Sequence, residues 1–488
     1  MSRAIAVVIF CLAGARKGER RELTGKPASS LLRQLGIVSA TALVVSNMIG
    51  VGIFSVTGYL ADDLGSPALV IWIWVVGAVC ALAGALVYSE LGINFPSSGG
   101  EYVYLNEAYG PTWAFMTGWV SFFAGFSAPI AASALAFSDY LGHFFPLLKQ
   151  ENAAFVVGSG YWQVRLGAPQ VAACALIAVF TFLNCVGVRR VAGVQNVLTT
   201  MKVLVLASFI VVGFAFGTGS MAHFSQPAAR LSGTPLPAQF AISLFFIYVS
   251  YGGWNAATYV AEELRNPART LPVALALGTT LVAALYVGLN VLFIYALPLG
   301  QMKGRIAIGA LAASRLFRSD VASLFSAAMA LSLMATVNAM ITVGPRVYYA
   351  MARNGAFFAA AARVDRRWRT PLIAILCQGV CTMALTFTPF PALLVYIGFT
   401  LNFFAVLSVA ALFFFRRRPG WRKLRVVSFA WPAIPVLFLL VGSWITVVGV
   451  TQQPAIATAA IVTIATGALV YHSRLGGQKR KGSGSAPA

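Results

Sequence analysis

Two apolar segments of this sequence are interrupted by glycine near the middle of what would otherwise be a membrane-spanning helix. The first break falls at Gly50-Val51-Gly52 and the second at Gly252-Gly253. A helix interior tolerates glycine poorly, at a cost of about 1 kcal/mol relative to Ala, and lipid offers no hydrogen bonds to freed backbone groups. Such breaks are typical of transporters, where they line a substrate site, although glycine also permits close helix packing.

Each break would expose backbone groups of both polarities. Free N–H groups at a half-helix N-terminus favour an anion such as a carboxylate. Free carbonyl groups at the opposite end favour a cation such as an ammonium. An amino acid carries both groups, so the pair of breaks favours amino acids over fatty acids, sugars and inorganic ions, with amines as an alternative.

Lys202 is a basic residue inside the fifth apolar span. A Lys at the centre of a membrane helix costs at least ~2.5–3.5 kcal/mol. One interpretation is a side chain that extends along the helix to reach water. The other is a coupling residue, which contacts the interrupted part of span 1 and takes part in proton coupling or stabilises the broken helix.

The composition indicates a polytopic membrane protein. Of 488 residues, 59% are hydrophobic and only 10% are charged, whereas a soluble protein is about a quarter charged. The net charge of +22 comes mostly from basic residues in short loops, which indicate topology and not nucleic-acid binding. No nucleophile–base pair, phosphate-binding loop or metal-ligand pattern is present, so the sequence predicts neither an enzyme nor a cofactor.

We predict an all-α protein with about 12 transmembrane helices. The predicted spans are approximately 36–59, 67–90, 111–141, 169–188, 195–217, 243–272, 271–298, 321–352, 371–388, 391–415, 427–449 and 454–472. Residues 95–110 are expected to form a short re-entrant or interfacial connection, and 301–319 a surface helix. Basic loop residues place both termini, the tails 1–35 and 473–488, in the cytoplasm and the protein in the inner (plasma) membrane.

The broken spans, 1 and 6, lie at corresponding places in two five-helix halves, 36–217 and 238–415, which precede the last pair of helices at 427–472. Because five is odd, the second half would cross the membrane in the opposite direction. This is the inverted-repeat arrangement of transporters.

Four stretches resemble the amino acid–polyamine–organocation (APC) superfamily, and within it the bacterial relatives of the L-type amino acid transporters. They are NMIGVGIF (47–54), FPSSGGEYVYLNEAYGPTWAFMTGW (95–119), YGGWNAATYVAEELRNPARTLP (251–272) and GPRVYYAMARNGAF (344–357). The resemblance covers all twelve spans. It implies the LeuT-like fold, a 5+5 inverted repeat with broken helices 1 and 6 plus two C-terminal helices.

On this resemblance, the substrate carboxylate would be bound by the backbone N–H groups of Ile49, Gly50, Val51 and Gly52. The family often has a hydroxyl residue between these glycines. Val51 stands there in this sequence, so one side-chain hydrogen bond to the substrate would be missing.

The substrate ammonium would be bound by the carbonyl groups of Ser250, Tyr251 and Gly252. An aromatic residue usually gates the site just before this break, and the matching position holds Val249 with Tyr248 beside it. These two side chains point about 100° apart on a helix. The resemblance therefore implies either an altered gate or a larger pocket.

Three Asn residues in the spans are further candidates. Asn255 either caps the restarted helix or binds substrate. Asn402 matches a polar pocket position of the L-type relatives, and Asn338 is a weaker candidate; both could equally be interhelical hydrogen-bonding residues. The resemblance also supports a functional Lys202, because APC members often carry Lys at this position.

The predicted function is secondary active transport of neutral amino acids by alternating access, as a proton symporter or an exchanger. Neutral, bulky apolar substrates are favoured because no acidic residue lies deep in the spans and no spare Arg lies in the pocket. The alternatives are an amine or polyamine carrier, which would need an acidic pocket residue, and an amino-acid sensor without flux. Glu101 and Tyr102, and Glu262 with Arg346, belong either to an inner gate or to solvated helix ends.

The expected partners are the amino acid and membrane lipids. L-type relatives in animals are bonded to a single-span chain through a loop cysteine after span 3. Residues 142–168 contain no Cys, so we expect no covalent heavy-chain partner.

Overall fold

The computed structural model describes residues 35–97, 99–158, 163–186, 188–317, 319–353, 357–365, 368 and 370–475. The predicted tails therefore lie almost entirely outside the described residues.

The described chain is built of helices, with one short antiparallel hairpin of β1 (Phe155–Val157) and β2 (Val164–Leu166) between the third and fourth spans. The helices, in chain order, are α1 Ile37–Met48, α2 Val51–Leu64, α3 Pro67–Asn94, α4 Glu101–Tyr109, α5 Pro111–Val120, α6 Ala128–Leu141, α7 Ala168–Val186, α8 Val188–Phe216, α9 Leu236–Tyr251, α10 Pro267–Ala296, α11 Leu299–Met302, α12 Ile308–Leu316, α13 Ser319–Arg353, α14 Leu372–Leu385, α15 Phe390–Phe415, α16 Arg425–Phe429, α17 Ala433–Gln452 and α18 Pro454–Val470.

The predicted fold class is confirmed. Within the described residues, ten helical stretches are long and apolar enough to cross a membrane, and Thr200–Phe216 and Leu372–Leu385 are shorter apolar helices at the positions of predicted spans 5 and 9. The polar connection after α3 forms the helix α4, and the predicted surface segment 301–319 holds α11 and α12.

Span 1 is interrupted between α1 and α2. Ile49 leaves the helical conformation at φ −71°, ψ 92°, and Gly50 is fully extended at φ −132°, ψ −154°. The helix restarts at Val51. The predicted interruption at Gly50-Val51-Gly52 therefore consists of two non-helical residues followed by a new helix N-terminus.

Span 6 is interrupted after α9. Gly252 is extended, and Gly253 has φ +98°, a left-handed conformation that favours glycine because it lacks a Cβ. A Cβ at Gly253 would lie 2.8 Å from the backbone of Asn47 in α1. The chain continues as a 3-10 helix over Ala256–Glu263, so this span does not resume as a regular α-helix.

The two breaks lie against each other. A Cβ at Gly52 would lie 2.4 Å from the Cα atom of Ser250, so α2 and α9 touch backbone to backbone. Around them, α9 packs on α2, α3 and α15, while α10 packs on α1 and α3. Close contact through small residues is the usual means of association between membrane helices.

Candidate functional site

A cavity of about 180 Å³ lies where the two broken spans meet. Its polar part is formed by the breaks themselves, including Gly50, Gly52, Gly252 and Gly253. Its apolar part comes from neighbouring helices, and is formed by Phe126, Pro129, Met340, Val343, Ile397 and Leu401. A pocket with an apolar wall and a few convergent polar groups is the usual form of a small-molecule site.

The wall opposite the breaks contains a π-helical turn, Ser121–Ser127, between α5 and α6. Ser121, Gly125 and Phe126 from this turn line the cavity. Single π-helical turns within longer helices are frequent at functional sites.

The carbonyl end of α1 is occupied by side chains of the protein. Lys202 Nζ donates to the Ile49 carbonyl oxygen at 2.6 Å and to Thr336 Oγ1 at 2.9 Å. Tyr286 Oη donates to the Met48 carbonyl oxygen at 2.6 Å. Lys202 is fully buried, and its amino group lies at a helix C-terminus, where cations are favoured. The expected contact of Lys202 with the broken part of span 1 is present, and its role in coupling stays a prediction.

The start of α2 and the end of α9, which also meet at the cavity, are not bound by these side chains. The first N–H groups of α2, which begins at Val51, have no intrahelical acceptor, and the last carbonyl groups of α9 have no intrahelical donor apart from the Gly252 N–H that bonds to Val249. The N-terminus of α2 carries partial positive charge and the C-terminus of α9 partial negative charge. The cavity thus offers one site for an anion and one for a cation.

An acidic side chain reaches the cavity from outside the spans. Glu101, the first residue of α4, is buried and lines the cavity. Its Oε1 accepts hydrogen bonds from Tyr88 Oη at 2.7 Å and from Asn255 Nδ2 at 3.3 Å. Burial raises the pKa of Glu101 to about 7, although hydrogen bonds from Tyr88 and Asn255 favour the ionised form. Glu101 is therefore not the solvated helix end that the sequence left open.

The structure brings most of the predicted substrate-binding residues to the cavity: Gly50, Val51, Gly52, Val249, Gly252 and Asn255. Tyr248 lines it as well, so both residues at the gate position contribute. The Asn255 side chain makes no capping hydrogen bond at the 3-10 helix and instead contacts Glu101 and Tyr259.

Four predicted residues do not line the cavity. The Ile49 backbone N–H, predicted to bind the carboxylate, donates instead to the Val45 carbonyl within α1 at 3.0 Å, and Ser250 Oγ donates to the Phe246 carbonyl in its own helix. Tyr251 Oη donates to the Trp74 carbonyl at 3.0 Å. Asn402 Nδ2 donates to the Gly442 carbonyl and to Thr446 Oγ1, both at 2.9 Å and both in α17. The structure thus places Asn402 in an interhelical contact, one of its two sequence interpretations.

Asn338, the weaker candidate, contacts a neighbouring helix: its Oδ1 accepts a hydrogen bond from Asn184 Nδ2 at 3.2 Å.

Sequence reasoning did not find Thr336 and Tyr286, which bind the carbonyl end of α1. Each lies in a mostly apolar helix that has other polar residues, and nothing in its local sequence indicates a partner more than 200 residues away. Only their polar character within predicted spans could have drawn attention to them.

A pair of discontinuous helices with a cavity at their breaks defines a membrane transporter of the broken-helix type. The sequence profile described as "Amino acid permease" matches residues 35–469, and the chain belongs to this family. It is a multi-pass membrane protein.

Among its relatives, mouse "Large neutral amino acids transporter small subunit 2" is 29% identical over 93% of this chain and 83% of its own length. Human "b(0,+)-type amino acid transporter 1" is 29% identical over 90% of this chain and 87% of its own length. Mouse "Asc-type amino acid transporter 1" is 26% identical over 91% of this chain and 81% of its own length.

Proposed function

We propose that this protein is a secondary active transporter of neutral amino acids, which moves them across the cytoplasmic (plasma) membrane by alternating access, with both termini in the cytoplasm. The observation that carries the proposal is the unequal occupation of the two breaks. The carbonyl end of α1 is occupied by Lys202 and Tyr286, which leaves one positive end, at α2, and one negative end, at α9. A zwitterion satisfies both.

The carboxylate is bound by the backbone N–H groups at the start of α2, and the ammonium by the carbonyl groups at the end of α9. The side chain then lies against the apolar wall, which includes Phe126, Met340 and Leu401. An uncharged, apolar side chain fits this wall, because the residues that form it carry no charge to pair with. The acidic residue of the cavity, Glu101, already accepts hydrogen bonds from Tyr88 and Asn255. The names of the relatives, which include neutral amino acid transporters, support the same substrate class.

In this proposal the repeats 36–217 and 238–415 move relative to each other to expose the cavity alternately to the two sides. Transport is either proton-coupled symport or amino-acid exchange. The chain works without a covalently attached heavy chain, because residues 142–168 contain no Cys. The words "small subunit" in the name of the mouse relative describe that protein.

The test is uptake of labelled L-leucine, L-phenylalanine and L-alanine into liposomes that contain the purified protein. Three conditions are compared: an imposed proton gradient, unlabelled amino acid inside, and neither. Proton-driven accumulation indicates a symporter, and uptake that needs internal amino acid indicates an exchanger. No uptake of any neutral amino acid by folded protein would contradict the proposal.

Competition separates amino acids from amines. We expect L-leucine to inhibit uptake, and both its decarboxylated amine and its deaminated acid to inhibit much less, because each leaves one helix end unpaired. Equal inhibition by the amine would support the amine carrier, and binding without flux would support the sensor.

A further inference from the structure

Glu101 is placed at the cavity by an unusual approach of two backbone segments. Gly100, the residue before it, has φ +50°, and a Cβ there would lie 2.8 Å from Thr258 Oγ1 and 2.9 Å from the Tyr259 ring. Only glycine permits this contact without displacing the 3-10 helix that follows the second break. The start of α4 therefore packs directly against the 3-10 helix Ala256–Glu263, which follows the break in span 6.

The carboxyl group of Glu101 has no cation beside it. None of the ion pairs within the described part of the chain includes Glu101. The titratable groups that face it are tyrosines from four different elements: Tyr88 of α3, Tyr104 of α4, Tyr248 of α9 and Tyr259 of the 3-10 helix. These hydroxyl groups are polar but neutral.

A buried acid without a counter-charge is costly to ionise, and its proton affinity depends on how much water and how many donors reach it. With a pKa of about 7, both forms are populated near neutral pH. Because Asn255 lies immediately after the break and donates to this carboxyl group, any movement of the broken span alters the group that accepts the proton.

The location also separates Glu101 from Lys202. Lys202 contacts two oxygen acceptors behind the break of span 1 and does not line the cavity, whereas Glu101 lines it directly. A proton on Glu101 can therefore exchange with water in the cavity and be controlled by the presence of substrate.

We propose that Glu101 is the residue that binds and releases a proton in each transport cycle, so that its carboxyl group couples proton movement to the opening of the substrate cavity. This inference rests on the proposed function. The carboxylate takes up one proton from water on one side of the membrane and returns it on the other side, with no further reactant.

The test uses liposomes with an internal pH-sensitive dye and L-leucine, or in its place the panel member with the fastest uptake. Wild type is compared with Glu101→Gln, which mimics the neutral acid, and with Glu107→Gln, which removes a half-exposed carboxylate from the same helix. We expect substrate-dependent proton influx in wild type and Glu107→Gln, and its loss in Glu101→Gln. Substrate binding, measured in all three, separates a loss of proton coupling from a loss of the substrate site.

Proton influx with substrate that persists in Glu101→Gln would overturn the inference, as would substrate uptake by wild type without any proton movement. Both results leave the amino-acid transporter intact. Loss of all substrate binding in Glu101→Gln with normal binding in Glu107→Gln would show instead that Glu101 is a substrate ligand.

A second measurement does not need flux. Infrared difference spectra of the purified protein, recorded on substrate addition near pH 7, should show a change in the band of protonated carboxyl groups. We expect this change to be absent in Glu101→Gln and present in Glu107→Gln. A spectrum that is the same in wild type and Glu101→Gln would contradict the inference even if neither protein transports.

Discussion

Replacement of Gly52 by Ala tests the contact on which the site depends. The added Cβ would lie 2.2 Å from Ser250 Oγ, 2.4 Å from Ser250 Cα and 2.5 Å from Ser250 Cβ. Carbon atoms in contact prefer about 3.5–4.0 Å, so α2 and α9 must separate by roughly 1 Å or more. Overpacking of this kind costs about 1–3 kcal/mol, and sometimes more. If this cost falls on the substrate-bound state, binding weakens by roughly a factor of ten to a hundred.

Gly50→Ala is the matched control, because a Cβ at this position would meet only Thr336 Cγ2 at 3.6 Å and the Met48 carbonyl oxygen at 3.8 Å, which are ordinary contacts. We expect thermal unfolding in detergent to show a clear loss of stability in Gly52→Ala and little change in Gly50→Ala. The uptake of L-leucine, measured in liposomes, should fall strongly in Gly52→Ala.

A double variant, Gly52→Ala with Ser250→Gly, separates the steric clash with the Ser250 side chain from the clash with the Ser250 backbone. It removes the Oγ and Cβ contacts but leaves the Cα atom 2.4 Å from the added methyl group. We therefore expect partial recovery at most. Wild-type stability in Gly52→Ala, or a loss of stability in Gly50→Ala as large as in Gly52→Ala, would refute the packing argument.

Three further predictions concern buried charges. Arg416→Gln should destabilise the protein by about 3–5 kcal/mol in thermal unfolding, because it leaves the carboxylate of Glu90 buried without its ion-pair partner, now 2.6 Å away. Arg418→Gln breaks a half-exposed ion pair and should cost less than ~1 kcal/mol, and equal losses of stability in the two variants would contradict this prediction. Lys202→Met should lower the free energy of unfolding by about 1–3 kcal/mol, because the Ile49 carbonyl loses its hydrogen-bond donor, and Lys202→Gln should recover part of that loss. If both variants transport with an unchanged pH profile, Lys202 has no coupling role. Burial raises the pKa of Glu101 from 4.5 to about 7, so the folded state binds a proton more tightly than the unfolded state and is stabilised by at most about 3 kcal/mol below pH 4.5; this contribution is lost as pH rises through about 7. The stability difference between wild type and Glu101→Gln should follow that course, and a difference independent of pH would refute it.

The sequence predicted the architecture well because the relevant signals are local. Apolar runs set the helices, and glycine pairs in two of these runs indicated the breaks. The prediction was less complete for the second break, since a regular helix was expected to resume at Asn255 and the structure shows a 3-10 helix there. The positive φ of Gly253 and its contact with Asn47 depend on the packing of α1, which the local sequence does not contain.

Side-chain orientation was the harder part of the site. α15 is apolar on nearly every side, so its sequence gives no preferred face, and the direction of Asn402 is set by hydrogen bonds to α17. Glu101 was difficult for a different reason. It lies in a polar connection that resembles a solvated loop, and its burial results from the close approach at Gly100. An acidic residue thus reaches the cavity although none lies deep in a span.

The two buried ionisable residues beside the breaks have different partners, and this difference supports different proposed tasks. Lys202 Nζ donates to two oxygen acceptors and lies at the negative end of α1. Its amino group binds the carbonyl end of α1, so that the cavity retains the positive end of α2 and the negative end of α9 for a zwitterion. Glu101 has neutral partners and no counter-charge, so its charge can change with the exposure of the cavity. Lys202 thus holds the broken helix through hydrogen bonds, whereas a carboxyl group whose charge changes can couple a proton to the movement of that helix.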